Sequence, residues 1–255
     1  MLRVITANVN GIRSATKKGF FDWIKEQEVD YLCLQEIKVS ADDLSFEFVK
    51  KHGLQSYFHH AQKKGYSGVG IYSRYKPDNV IFGFGSHEFD KEGRYIEVRY
   101  KNLSIASVYM PSGSSGDERQ NAKYRFMDEL MSYLSTLKKM GEVILCGDMN
   151  IVHKDIDIKN WMGNQKNSGC LPKERLWLTE LFDNIGYVDV FRLLNTRPEQ
   201  YTWWSNRGQS YEKNIGWRID YQIATPIIAN TAKYVSIFRH TRFSDHSPLI
   251  VDYDY

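Results

Sequence analysis

Five segments of this 255-residue chain run from apolar residues directly into carboxylates, carboxamides or a histidine. They are Ala7-Asn8-Val9-Asn10, Leu34-Gln35-Glu36, Cys146-Gly147-Asp148-Met149-Asn150, Arg218-Ile219-Asp220-Tyr221 and Ser244-Asp245-His246. Hard oxygen ligands of this kind suit Mg²⁺, which keeps several waters and takes only one or two protein carboxylates. No HxxxH or CxxC spacing indicates zinc. The set therefore predicts a divalent-cation site built from segments that lie far apart in the chain.

Each segment taken alone also has a simpler interpretation. The asparagines of the first segment could cap a turn, and Glu36 could be an exposed charge at the end of a strand. The Gly-Asp pair of the third segment is common in turns, and the last segment could be a polar loop. Asp220 is harder to explain in this way, because a carboxylate inside an apolar strand is costly to bury without a partner. The occurrence of all five in one chain favours a shared site.

The elements that would position these residues are mostly strands. Runs typical of strands are Leu2–Ala7, Tyr31–Gln35, Gly68–Ser73, Tyr95–Tyr100, Ser104–Met110, Glu142–Gly147, Tyr201–Ser205, Arg218–Thr225, Tyr234–Arg239 and Leu249–Tyr253. Helices are predicted over Lys18–Gln27 and Arg119–Lys139 and from Pro172 onward. A capping box at Ser40 and Asp43 predicts a further helix, which continues through Leu44 and Phe48. Because strands outnumber helices, two packed sheets with helices outside are favoured over one parallel sheet.

The bulk properties fit a single domain over residues 1–255. The net charge of +3 and the pI near 8.5 weakly favour a polyanionic partner. Cys33, Cys146 and Cys170 are odd in number and lack metal spacing, which predicts reduced thiols in a reducing compartment. The sequence shows no signal-peptide pattern and no apolar run of membrane-spanning length, so we expect a cytoplasmic protein without a membrane partner.

From about Arg3 to Asp252 the chain resembles the exonuclease III family of DNA repair enzymes, which includes the abasic-site endonucleases. The most specific matches are Cys33-Leu34-Gln35-Glu36, the run from Gly65 to Arg74, Gly147-Asp148-Met149-Asn150, the run from Gly216 to Tyr221, and Ser244-Asp245-His246. The resemblance implies a four-layered α/β sandwich, in which two packed mixed β-sheets are flanked by helices. It also implies that the active site lies at one end of the two sheets.

The metal site that the resemblance implies uses Mg²⁺, with Mn²⁺ as an alternative ion. Glu36 is the main ligand, Asp245 lies nearby, and Asn8 and Asn10 complete the region. Asn8 would also hold the reacting phosphate. Asn10 departs from the family pattern, because many relatives have aspartate there and an amide is the weaker magnesium ligand. The number of metal ions therefore stays open.

The same resemblance implies a role for each catalytic residue. Asp148 positions or deprotonates the attacking water, and Asn150 helps to hold the phosphate and orient Asp148. Tyr109 hydrogen-bonds the phosphate. His246, paired with Asp220, contacts a phosphate oxygen as an imidazolium rather than acting as the base.

A DNA-binding surface is implied in the same way. The backbone contacts it predicts are Arg13, Lys38, Tyr66, Asn164 and Asn167. Trp203 and Trp217 match the pocket that receives a flipped abasic sugar, although tryptophans in strands are more often part of the core. Arg207 matches a position at which relatives insert a side chain into the duplex, and a solvated loop arginine is an equally supported interpretation.

We therefore predict an Mg²⁺-dependent hydrolase that cleaves the phosphodiester 5′ of abasic sites in duplex DNA during base excision repair, with 3′→5′ exonuclease and 3′-phosphodiesterase activity. The alternative is a mainly 3′→5′ exonuclease with little abasic-site activity. The predicted partner is duplex DNA with abasic sites or 3′ ends. The predicted enzyme is a monomer in the bacterial cytoplasm that is associated with the nucleoid when it is bound to DNA.

Two other classes compete with this prediction. DNase I-like nucleases, inositol polyphosphate phosphatases and sphingomyelinases share the Glu, Asp-x-Asn and Asp-His signals, but the segments Gly65–Arg74 and Trp217–Tyr221 favour the repair enzymes. A catalytically silent DNA-binding protein is the second alternative. It is disfavoured because all the catalytic residue types named above are present.

Overall fold

Two six-stranded β-sheets form the centre of the computed structural model, which describes residues 1–43 and 53–255. From edge to edge, the first sheet contains β13 (Ala232–Ile237), β14 (Leu249–Tyr253), β1 (Leu2–Asn8), β2 (Tyr31–Gln35), β4 (Val69–Ser73) and β3 (Gln55–His59). The second contains β5 (Asn79–Phe82), β6 (Tyr95–Arg99), β7 (Leu103–Tyr109), β8 (Glu142–Asp148), β12 (Asp220–Ala224) and β9 (Val188–Asp189). A small separate hairpin pairs β10 (Trp203–Trp204) with β11 (Gly216–Trp217).

Seven helices surround the two sheets in the described part of the chain, and the longest of them cover the outer faces. They are α1 (Ile12–Lys17), α2 (Phe20–Glu26), α3 (Asp117–Leu137), α4 (Trp161–Asn164), α5 (Pro172–Thr179), α6 (Val190–Leu194) and α7 (Pro226–Ala229). A π turn at Glu180–Asn184 follows α5, and 3-10 turns occur at Ala41–Asp43, Asp90–Glu92, Lys138–Met140 and Asp155–Asp157. None of the helices in the described part of the chain is long and apolar enough to cross a membrane.

The core is divided among the interfaces between these layers. Val4 and Ile71 of the first sheet meet Ile105 and Ile144 of the second sheet in one buried cluster. A second cluster packs α2 onto the outer face of the first sheet, and a third packs α3 and α5 onto the outer face of the second. Central strands such as β2 are buried at every residue because both of their faces are covered. The four-layered α/β sandwich is thus confirmed.

The predicted elements differ from the observed ones mainly at their ends. The strands Tyr31–Gln35 and Leu249–Tyr253 match, whereas the predicted strand Tyr201–Ser205 is shortened to β10. β3 and β5 were not predicted, because these edge strands are only partly buried and carry no clear alternation. The predicted helix at Arg119–Lys139 is observed as α3, and Pro172 begins α5 as expected.

The predicted helix through Leu44 and Phe48 lies outside the described residues. Its proposed capping pair is described: the Ser40 hydroxyl donates to Asp43 Oδ2 at 2.6 Å, and a 3-10 turn spans Ala41–Asp43. The short helices α1 and α6 were not predicted, since six and five residues give too little periodicity to recognise.

Candidate active site

The polar ends of the strands meet at one end of the two sheets. β1 and β2 are parallel, and so are β7 and β8, with Tyr109 opposite Asp148 in the register. Asp220, the first residue of β12, also lies opposite Asp148. Asn8, at the end of β1, joins the sheets, because its Nδ2 donates to Asp148 Oδ2 at 2.9 Å and to Glu36 Oε1 at 2.9 Å. Segments far apart in sequence therefore converge as predicted.

Several site residues adopt a left-handed backbone conformation that non-glycine residues rarely adopt. They are Asn10 (φ 44°), Glu36 (φ 50°), Lys38 (φ 51°) and Asn150 (φ 50°). Local hydrogen bonds hold two of these turns: Asn10 N donates to Asn8 Oδ1 at 3.0 Å, and Asn150 N donates to Asp148 Oδ1 at 2.8 Å. Such conformations cost free energy and cluster at functional sites. Side chains of the site therefore hold the turns after β1 and β8, and backbone hydrogen bonds hold the turn after β2.

Glu36 and Asp245 are linked through two other polar side chains. Lys38 Nζ lies 2.8 Å from Glu36 Oε2 and also donates to Asn10 Oδ1. Asn10 Nδ2 in turn donates to Asp245 Oδ1 at 2.8 Å. Burial opposes ionisation of Glu36, but Lys38 and Asn8 outweigh it and lower the pKa of Glu36. The Glu36 side chain is therefore in the anionic form that binds cations.

Asp245 has the same electrostatic character. Burial opposes its ionisation, but the charge on His246 and hydrogen bonds from Asn10 and Trp203 lower its pKa. The Trp203 indole donates to Asp245 Oδ2 at 3.1 Å. The residues predicted for the metal site, Glu36, Asn8, Asn10 and Asp245, thus lie close together. Their oxygen-rich donor set fits a hard divalent cation that retains several waters.

Glu36, Asp148 and His246 also form a group whose ligand atoms all lie within 4.8 Å of one another. His246 Nδ1 lies 2.9 Å from Asp220 Oδ2, and its Nε2 lies 3.9 Å from Asp148 Oδ2. Burial opposes a charge on the imidazole, but Asp220 above all outweighs it and raises the pKa of His246 to about 10. A protonated imidazole has no free lone pair for a metal. His246 is therefore better suited to contact an anion than to ligate a cation.

Asp148 is buried at the centre of the site. Burial above all raises the pKa of Asp148 to about 7; the charge on His246 opposes this shift, and the carboxylates of Asp220 and Glu36 add to it. Besides Asn8, the Asn150 side chain donates to Asp148 Oδ2 at 3.3 Å. The Asn150 amide is itself held by Met110 O at 2.9 Å. A fixed carboxylate with a pKa near neutrality is suited to accept a proton from water.

Tyr109 provides a neutral hydroxyl at the same place. Burial, with Glu36 and Asp148 adding to it, raises the pKa of Tyr109 well above its ordinary value. Arg94 lies over the Tyr109 ring, with its Cζ 4.8 Å from the ring centroid, and donates to Tyr109 O at 3.1 Å. Arg94 was not identified from the sequence, because nothing in the Glu92-Gly93-Arg94 run distinguishes it from a surface charge.

A cavity of about 270 Å³ opens over these groups. Trp203 and Trp217 form part of its wall, with ring centroids 5.6 Å apart and planes at 79°. The two rings are partly buried against a small apolar cluster on one side and line the cavity on the other. The tryptophans therefore belong both to the core and to the pocket. The cavity is also lined by residues that were not predicted: Ser112, Ser114, Ser168 and Ile219. The serines lie in ordinary-looking loops and carried no sequence signal.

The remaining predicted DNA contacts lie on elements around the cavity rather than in it. Arg13 is exposed on α1, and Arg207 is exposed in the loop between the two pocket tryptophans. The Tyr66 hydroxyl accepts from Arg94 at 2.6 Å and Arg119 at 2.8 Å. Asn167 Nδ2 donates to Asn164 Oδ1 at 2.9 Å, in the loop that leads to Ser168. Lys38, by contrast, is held at Glu36 inside the site.

Comparisons with known proteins agree with this geometry. The model of the Endonuclease/Exonuclease/phosphatase family matches residues 5–246. The chain is 36% identical over 250 residues to an exodeoxyribonuclease of Bacillus subtilis, covering 97% of this chain and 98% of that protein. It is 34% identical to the DNA repair nuclease APEX1 of Danio rerio, covering 97% of this chain and 81% of that one.

Solved structures give the same result. An AP endonuclease from Archaeoglobus fulgidus superposes with a TM-score of 0.90 at 30% identity, and the match covers 100% of both chains. The 3′-5′ exonuclease NExo from Neisseria meningitidis also gives a TM-score of 0.90, at 25% identity and 100% coverage of both chains. The similarity therefore extends over the whole chain.

Proposed function

Because the chain belongs to the endonuclease/exonuclease/phosphatase family, we propose that it is a DNA repair nuclease that hydrolyses the phosphodiester 5′ of abasic sites in duplex DNA and also processes 3′ ends. The observation that carries the proposal is the convergence of Glu36, Asp148 and His246 within 4.8 Å, beside a cavity walled by two tryptophans. Relatives named as exodeoxyribonucleases and as AP endonucleases both support it.

The cofactor in this proposal is Mg²⁺, held by Glu36 with Asp245 nearby, and Mn²⁺ is the alternative ion. When bound, the metal neutralises charge on the phosphate and stabilises the leaving 3′ oxygen. The anionic states of both carboxylates support this assignment. Asn10 would contribute an amide where a carboxylate would bind more strongly.

Asp148 is the base in this mechanism. Its Oδ1 and Oδ2 are fixed by Asn150 and Asn8, so the carboxylate is oriented before substrate arrives. The base has to be ionised, and the His246 imidazolium at 3.9 Å favours that state. A divalent cation bound beside the phosphate would favour the ionised state of Asp148 further. Asp148 would take the proton of the attacking water while Asn150 keeps the carboxylate aimed at it.

Tyr109 and His246 hold the phosphate oxygens. The Tyr109 hydroxyl stays protonated because its pKa is raised, so it can donate a hydrogen bond. His246 is held by Asp220 through Nδ1, which leaves Nε2–H free to donate to a phosphate oxygen. Donors fixed where negative charge develops lower the barrier without reorganisation during the reaction.

The cavity accounts for selection of abasic sites. An abasic sugar carries no base to unstack, so it costs less to extrude from the duplex than a nucleotide does. Trp203 and Trp217 provide apolar walls for the sugar. The backbone contacts assigned to this proposal are Arg13, Lys38, Tyr66, Asn164 and Asn167, with Arg207 at the tip of the adjacent loop.

A strand-cleavage assay with Mg²⁺ tests the proposal on an abasic duplex, an intact duplex and a recessed 3′ end. Nicking of the abasic strand, abolished by EDTA and by Asp148→Asn, is the expected result. Asp128→Asn is the matched control, because Asp128 is exposed on α3 and should retain activity. Strong 3′ trimming with little abasic nicking would instead favour the second candidate, a mainly 3′→5′ exonuclease like the NExo relative.

The base is tested by pH–rate profiles of Asp148→Asn and His246→Asn. A base must be deprotonated, so it produces the acidic limb of the profile. Loss of that limb in the His246 variant alone would contradict the assignment of Asp148. We further propose a monomer in the bacterial cytoplasm, associated with the nucleoid through DNA, which sedimentation and cell fractionation can check.

A further inference from the structure

One hairpin carries both walls of the cavity. β10 and β11 pair Trp203 with Trp217 and Trp204 with Gly216, and the residues numbered 205–215 connect them. Arg207 lies in this connecting loop. This small hairpin belongs to neither large sheet, and bridges from Trp203 to His246 and from Trp217 to Ile158 attach it to the site. The hairpin therefore links the loop to the two tryptophans of the cavity wall.

Two arginines from another part of the chain stack on the aromatic rings of this hairpin. Trp204 is fully buried and contacts Tyr211 edge to face, with ring centroids 4.9 Å apart. The Cζ of Arg239 lies 4.8 Å from the Trp204 ring and 5.1 Å from the Tyr211 ring. The Cζ of Arg242 lies 4.9 Å from the Tyr211 ring. We name Trp204, Tyr211, Arg239 and Arg242 the aromatic–arginine clamp.

Hydrogen bonds extend the clamp to both ends of the loop. The Tyr211 hydroxyl donates to Arg239 O at 2.7 Å. Arg239 and the Trp204 indole both donate to Asn214 Oδ1 at 3.1 Å, near the end of the loop. Arg242 donates to Asn206 Oδ1 at 2.8 Å, next to Arg207.

The clamp holds both ends of the loop through contacts that do not involve DNA. A free loop of this length would lose backbone entropy on ordering, and that loss would reduce binding. The guanidinium of Arg239 stacks on two rings and donates to Asn214 Oδ1 and to Tyr211 O. These contacts indicate that Arg239 positions the hairpin.

We propose that the aromatic–arginine clamp is a specificity device for internal abasic sites, which rests on the proposed function. An internal sugar is flanked by stacked base pairs on both sides, so the cavity walls and Arg207 must be in place when it leaves the helix. A nucleotide at a 3′ end is stacked on one side only and can reach the same catalytic groups with less support. The clamp residues are positioning residues, and none of them lines the cavity between Trp203 and Trp217.

The test compares kcat/KM on an internal abasic duplex and on a recessed 3′ end for Tyr211→Ala and Arg239→Gln. Each variant is expected to lose about 5-fold on the abasic duplex, the upper size of a cation–π contact at an exposed site, and less than about 2-fold on the 3′ end. The retained 3′ activity shows that the same preparation is folded. Tyr211→Phe keeps the ring and is expected to lie between wild type and Tyr211→Ala.

Lys213→Gln is the matched control, because Lys213 is an exposed positive charge in the same loop. Equal losses for Lys213→Gln and Arg239→Gln that vanish at high salt would identify a phosphate contact and overturn the proposal. Equal losses on both substrates, or no loss, would also overturn it. Wild-type protein that trims 3′ ends but does not incise abasic DNA would refute the abasic specificity, and wild-type protein inactive on both would refute the proposed function itself.

Discussion

The buried ion pair between Lys123 and Glu174 allows the sharpest test of how the site is supported. Both side chains are fully buried, and Lys123 Nζ lies 2.6 Å from Glu174 Oε1. Lys123 also donates to the carbonyl of Asn150, one of the proposed catalytic residues, at 2.7 Å. Glu174 Oε2 accepts from the backbone of Gly169 at 2.6 Å and Leu171 at 3.0 Å. The pair therefore ties α3 and α5 to two loops at the site.

Lys123→Met removes the cation and keeps most of the side-chain volume. The Glu174 carboxylate then stays buried without its counter-ion, and breaking one side of such a pair costs about 3–5 kcal/mol. Domains of this kind are stable by only about 5–15 kcal/mol, so the loss is large. Urea unfolding at pH 7 measures it. Lys123→Met/Glu174→Gln is expected to recover part of the loss, because the remaining amide carries no charge.

Arg125→Met is the matched control on the same helix. Arg125 pairs with Glu88 at 2.7 Å, but its side chain is 53% exposed, and exposed pairs contribute about 0.2–1 kcal/mol. The reasoning is refuted if Lys123→Met destabilises the protein no more than Arg125→Met does. If Lys123→Met/Glu174→Gln loses as much free energy of unfolding as Lys123→Met does, the uncompensated charge of Glu174 is not the cause of the destabilisation.

Three further predictions concern pH, salt and metal. Burial lowers the folded-state pKa of His153 to about 4 from 6.5, so the unfolded chain binds more protons than the folded chain between these pH values. The free energy of unfolding is therefore unaffected by this group above pH 6.5 and falls by on the order of 2 kcal/mol as the pH falls toward 4. In urea unfolding over this pH range, His153→Gln should lose less stability than the wild type. Arg13→Gln should weaken duplex binding for all sequences and reduce the slope of log K against log salt by about 1, in anisotropy titrations of Asp148→Asn protein. Asn10→Asp adds a carboxylate beside Asp245. Because the charge of the ligands tunes metal affinity, the variant should lower the Mg²⁺ concentration for half-maximal cleavage by about 10-fold. An unchanged concentration would show that Asn10 is not part of the metal site.

The sequence predicts the centre of this molecule better than its edges, for a physical reason. Strands such as β2 and β14 are buried on both faces, so their apolar runs are unbroken and end sharply where the site begins. Edge strands such as β3 and β5 bury less surface and show no alternation of buried and exposed residues. The polar ends of the central strands were therefore visible in sequence, and the register of two parallel pairs brings them together.

Features that arise only when distant segments touch could not be predicted. The left-handed backbone of Glu36 and Lys38 depends on the turn that they share with the end of β1. Lys38 is predicted to contact DNA, and the ion pair of its ammonium with Glu36 is a further contact that no local pattern indicates. Arg94 is buried between the rings of Tyr66 and Tyr109, and no local pattern marks it. Each of these contacts is tertiary, so neither spacing nor composition encodes it.

The charges of the assembled site bear on the number of metal ions, which the sequence left open. Four carboxylates face the site, those of Glu36, Asp148, Asp220 and Asp245, and two cationic groups, His246 and Lys38, lie against them. When Asp148 is ionised, two negative charges remain, and one divalent cation would neutralise them; burial makes that balance important because uncompensated charge is costly. A second divalent ion would need another carboxylate, and the position where one would fit is occupied by the amide of Asn10. The charge balance therefore favours one metal ion.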